Sequence, residues 1–169
     1  GARLDLSVAG AMTYVGDITG TESVELNAAQ AMSVTGNIGS AAVDVNATDS
    51  FTLVGDIDGT TVTVDTGAAL TIRGQVDADV ATLDSGTTLD LMGTLTADDA
   101  TLASDDAMTI VGDLVITDAL VLDATGALSM TGATSATTVV FGSDSTMTVA
   151  GNITSRDSVE LNATQAMRL

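Results

Sequence analysis

Apolar residues in this chain alternate with polar ones in short bursts. Val24-x-Leu26 is followed, after a polar or small stretch, by Met32-x-Val34-x-Gly36-x-Ile38. Alternation with period two marks a strand with one buried face. Helical spacing, with apolar residues at i, i+3 and i+4, persists nowhere. The burst recurs along the whole sequence. Its glycine falls at Gly16, Gly36, Gly55, Gly74, Gly93, Gly112, Gly132 and Gly151, with successive spacings of 20, 19, 19, 19, 19, 20 and 19. Four residues before that glycine, and again in a last partial copy, stands Met12, Met32, Phe51, Leu70, Leu89, Met108, Leu128, Met147 or Met167.

Each copy holds five apolar columns, and no single copy can bury them. Stacked coil on coil, they form one shared core, as in other short-period repeats. The spacing predicts an all-β parallel β-solenoid with coils of 19–20 residues and about eight and a half coils, spanning 1–169 as a single segment. Its strands are expected to be three to five residues long. At ~4.8 Å per coil the rod is roughly 40 Å long. All variation in coil length falls between the Ile18-type column and the next Val24-type column: six residues after Ile18, five after Ile38. An insertion elsewhere would turn the apolar set to the outside.

Polar positions also align. Ser7, Asn27, Asn46, Asp65, Asp84, Ala103, Asp123, Gly142 and Asn162 follow the first strand, and stacked Asx turns are expected there. The glycine column supplies a corner with positive φ. Thr13, Ser33, Thr52, Thr71, Asp90, Thr109, Ser129 and Thr148 form an outward column on the second strand. Beside it runs Val15, Thr35, Val54, Arg73, Met92, Val111, Thr131 and Ala150, too mixed for the flat Thr-x-Thr ladder of an ice binder.

Composition narrows the chemistry. The chain carries 23 acidic and 4 basic residues, a formal charge of −19. All four bases are Arg; there is no Lys, His, Cys, Trp or Pro. Imidazole, thiolate and lysine chemistry are absent, as are disulfides and zinc ligation through His or Cys. A surface of this sign repels phosphate, so neither nucleic acid nor an anionic membrane is an expected partner. Hydrophobic residues make up 45% and charged residues 16%, the reverse of a disordered acidic tail. No apolar run reaches the ~20 residues of a spanning helix.

No catalytic residues are assigned. The acidic pairs Asp98–Asp99 and Asp105–Asp106 read as solvated turns. A carbohydrate-active β-helix would need long loops and aromatic platforms, whereas Tyr14, Phe51 and Phe141 all fall on inward columns. Asp5, Glu25 and Asp44 stack on successive coils and are the weak candidates for metal binding, since a hard cation such as Ca²⁺ relieves carboxylate repulsion. No calcium-loop motif accompanies them. The expectation is no cofactor, with Ca²⁺ at most held loosely. Asn46, Asn152 and Asn162 open Asn-x-Thr sequons that the repeat itself generates.

The coil Val24-Glu-Leu26-Asn27 … Met32-Ser-Val34-Thr-Gly36-Asn37-Ile38 resembles the repeats of filamentous haemagglutinin-type adhesins of two-partner secretion and, more loosely, β-helical autotransporter passengers. That resemblance implies a right-handed parallel β-helix on a bacterial cell surface, acting as an extracellular stalk or adhesive fibre that meets a receptor or glycan. The Gly-Asp-Ile units at Gly16–Ile18 and Gly55–Ile57 look like bactofilins, which implies a cytoskeletal filament as the alternative. A calcium- or polysaccharide-binding module is the second alternative. Ser23–Met32 (SVELNAAQAM) and Ser158–Met167 (SVELNATQAM) match at nine of ten positions, 135 residues or seven coils apart. The pattern starts and stops in mid-repeat, so the expected partner is more of the same: further coils in a longer repetitive parent, or copies stacked end to end.

Overall fold

The computed structural model describes residues 2–169, and all of its regular structure is β. Each coil contains three extended runs. In the second coil these are Ser23–Ala28, Met32–Thr35 and Ile38–Gly39. Corresponding runs pair in parallel with the coils above and below. The second runs form a nine-stranded sheet, and the first and third runs a thirteen-stranded one. The chain winds right-handed, the hand that twisted strands impose on successive parallel crossovers.

Register follows the sequence repeat throughout. Met32 pairs with Phe51, Phe51 with Leu70 and Leu70 with Leu89, so the ladder stands in one line. Met12 through Met147 of that ladder are buried, and Phe51 and Leu70 are wholly so. Met167, on the last coil, is 41% exposed because nothing packs above it. Tyr14 does stand on an inward column, in register with the buried Val34 and packed against the core. It lies half-buried on the first coil, and its hydroxyl donates to the Asp17 carbonyl at 3.4 Å.

The core is wider than the five apolar columns. Two further columns point inward. One is Ala28, Ala47, Thr66, Ser85, Ser104, Ala124 and Ser143, all buried. The other includes the buried Ala78, Ala97, Ile116 and Ala136. Both sit where the coil turns, and side chains that are small at every named position but Ile116 let the backbone close around the larger core.

Strand lengths also depart from expectation. In four coils the third run continues into the next first run as one bent strand: Ile57–Thr66, Val76–Ser85, Thr134–Ser143 and Ile153–Ala163. Neighbouring coils template the backbone there even though the sequence carries no strand signal. The extra residue of the long coils is absorbed at this bend. Ala136 pairs with Ser155 and Thr138 with Ser158, which places a one-residue bulge between them.

The second corner is made by glycine. Among the described residues, positive φ occurs only at the eight repeat glycines, from 132° at Gly16 to 154° at Gly151. Glycine is required twice over there, by the dihedral and by the close approach of the coil below.

Candidate functional surfaces

Asp5, Glu25 and Asp44 do lie on neighbouring rungs of the first-run sheet, in register with one another. Each carboxylate is engaged by the residue two positions on. Ser7 Oγ donates to Asp5 at 2.8 Å, Asn27 Nδ2 to Glu25 at 3.0 Å and Asn46 Nδ2 to Asp44 at 2.9 Å. Arg3 forms an ion pair with Glu25. Thr63 takes the next rung and ends the acidic column. Among the described residues no three acidic side chains converge on one point.

These bonds correct the Asx-turn reading. Ser7, Asn27 and Asn46 sit inside strands, at the fifth residue of Arg3–Val8, Ser23–Ala28 and Ala42–Ala47. Pairing with the coils on either side overrides their turn preference. Their side chains then reach along the strand to a carboxylate instead of back to the local backbone.

The true Asx ladder stands one corner further round. Asp17 Oδ1 accepts the Asn37 N–H at 2.9 Å, Asn37 Oδ1 accepts the Asp56 N–H at 3.0 Å, and Asp56 Oδ1 accepts the Gln75 N–H at 2.8 Å. Asp113 repeats the bond to the Ala133 N–H at 2.8 Å. Each side chain satisfies a backbone donor of the next coil at the glycine corner, where the sheet ladder lapses. The Gly-Asp-Ile units are thus accounted for as coil-to-coil fasteners. Of the acidic pairs, Asp98, Asp105 and Asp106 lie in exposed bends, and Asp99 accepts the Ala119 N–H at 3.2 Å.

A buried hydroxyl column escaped notice in the sequence. Ser85 Oγ lies 2.7 Å from the Ala68 carbonyl and 2.8 Å from that of Thr88. Ser104 Oγ donates to the Asp106 carbonyl at 2.9 Å, and Ser143 Oγ to Gly126 at 2.8 Å. These hydroxyls satisfy carbonyls of the turn between the first and second runs. The signal was present as an unbroken register of small residues, but Ala, Ser and Thr do not stand out as core.

An open trough of about 740 Å³ runs along that turn, lined by Asn27, Asn46, Asp65, Ala28 and Ala47 among others. No wall closes over it. The outer face of the nine-stranded sheet is a plain two-column surface of Thr13-type and Val15-type residues. No protein-family model, no curated protein and no solved structure matches this chain.

Proposed function

We propose that this chain is a length of structural fibre: an extracellular or bacterial-surface β-solenoid stalk or adhesin segment that does no catalysis. The observation that carries the reading is the register, which runs through every coil and departs by one residue at a bend. Polar side chains are bonded along the rod: the Asp5, Glu25 and Asp44 carboxylates to Ser7, Asn27 and Asn46, corner Asp and Asn to the next coil, and buried hydroxyls to turn carbonyls. What such a molecule supplies is length and stiffness. Every coil contributes apolar burial, at roughly 25 cal/mol per Å² removed from water, and backbone hydrogen bonds to both neighbours. The coil pattern's resemblance to the repeats of haemagglutinin-type adhesins supports the surface location, and the seven-coil echo between Ser23–Met32 and Ser158–Met167 supports a longer repetitive parent.

Electron microscopy of the native parent, with fractionation of its cells, tests this. The expected result is rods outside the cell, unbroken along their length. Filaments beneath the inner membrane would instead favour the bactofilin-like reading. Pulling on the rod gives a second readout: a coil of 19–20 residues releases on the order of 65 Å of chain, so force curves should show steps of that size.

A further inference from the structure

The charge of this rod is distributed very unevenly. The outer face of the nine-stranded sheet is formed by Met12–Val15, Met32–Thr35, Phe51–Val54, Leu70–Arg73, Leu89–Met92, Met108–Val111, Leu128–Thr131, Met147–Ala150 and Met167–Arg168. Of the 23 acidic residues in the chain, only Asp90 lies on these strands. Arg73 stands on the adjacent coil, and Arg168 at the far end. The rest of the outward surface is Thr, Ser, Val, Met and Ala, with Val15, Val54, Met92 and Val111 each 41–78% exposed in a single column.

We propose that this face is where a second copy of the chain docks, so that the rods pair side by side. The other sheet carries Asp5, Glu25, Asp44, Asp58 and Asp77 on its rungs, so for two molecules of charge −19 this face brings the fewest carboxylates together: only the two Asp90 side chains approach, each beside an Arg73 of the other copy. A two-fold axis crossing the face between the coils of Arg73 and Asp90 sets the two rods antiparallel. Each Arg73 then lies diagonally across from the partner's Asp90, and the Val54-type columns meet one another, as an isologous contact requires. Among the described residues Arg73 forms no ion pair within its own chain, so its guanidinium is available. The flat face measures about 40 Å by 13 Å. That is roughly 500 Å² per partner and about 1,000 Å² in all, the lower bound of a specific interface. This pairing is independent of the surface-fibre reading, since it rests on the charge pattern of the folded coils alone.

Sedimentation velocity over a concentration series tests it. The whole chain is expected to dimerise reversibly. The double variant Val54→Glu, Val111→Glu alters only outward side chains; it should keep its circular dichroism and melting temperature and weaken association at least tenfold. Arg73→Asp and Asp90→Arg should each weaken it several-fold, and the two together should restore it to near wild type. A monomer at millimolar concentration would overturn the proposal. So would a dimer indifferent to the two glutamates, rods lengthened end to end in micrographs without side-by-side pairs, or ice-growth inhibition by a strictly monomeric chain.

Discussion

Gly74 stands directly over Gly55: a Cβ on Gly74 would lie 2.0 Å from the Gly55 carbonyl oxygen. With φ at 153°, the position also disfavours any side chain. Gly74→Ala must therefore force two coils apart and is expected to cost about 3 kcal/mol or more. Gly39→Ala is the control, because nothing lies within 4 Å of the added Cβ and φ is ordinary. It should be neutral or stabilise by up to about 1 kcal/mol. Urea melts of the two variants check both values.

The buried hydroxyls divide into used and unused. Ser85→Ala removes the hydroxyl bonded at the Ala68 and Thr88 carbonyls, which keep the Thr66 hydroxyl and the Leu70 N–H as donors, and should cost about 1 kcal/mol. Ser40 Oγ is buried with no hydrogen-bond partner. Its column carries Ala78, Ala97 and Ala136 on later coils, so Ser40→Ala fits and should stabilise by about 1 kcal/mol. Thermal denaturation of the pair gives opposite signs if the column works this way.

Leu89 lies near the middle of the ladder and is fully enclosed. Leu89→Ala should cost about 2–5 kcal/mol through the cavity it leaves. Leu89→Asp buries a charge without a partner and should open the rod at its centre. Because each coil touches only its neighbours, hydrogen exchange should rise first in Leu70–Arg73 and Met108–Val111 and last in distant coils.

A charge of −19 destabilises the compact state through self-repulsion. Sodium chloride at about 0.5 M should raise the melting temperature by screening it. Millimolar Ca²⁺ added at that ionic strength should give no further rise, since the carboxylates of Asp5, Glu25 and Asp44 are already engaged along their strands. A further rise that a chelator reverses, and that Asp44→Asn abolishes, would instead establish a calcium site on that column.

Most of the architecture was legible because Val, Leu, Ile, Met and Phe mark five inward columns without ambiguity. The two remaining columns were not, because Ala78, Ser85 and Thr66 are as common outside a core as inside. Strand continuity at Ile57–Thr66 was hidden for a related reason: its bend contains Asp58, Gly59 and Thr60, which read as a turn. Only pairing with the coils on both sides makes it a strand. Asn27 and Asn46 carry the same local turn preference, yet both pair within strands. The Asp17 ladder was visible as a column, but its purpose depends on a coil-to-coil distance that sequence alone does not supply.

The solenoid requires coils that stack at a constant interval, and a cysteine-free chain allows that interval to be measured directly. Thr19, Val115, Ser135 and Thr154 are exposed and occupy one outward column on coils one, six, seven and eight. Paired nitroxide labels on Thr19→Cys with Val115→Cys, Ser135→Cys or Thr154→Cys, diluted in unlabelled protein, report the separations by electron spin resonance. Narrow distances rising by ~4.8 Å per coil, to about 24, 29 and 34 Å before allowance for the label arms, are the expected result. Distances that are broad, or that do not increase in equal steps with coil number, would contradict the solenoid and every functional reading built on it.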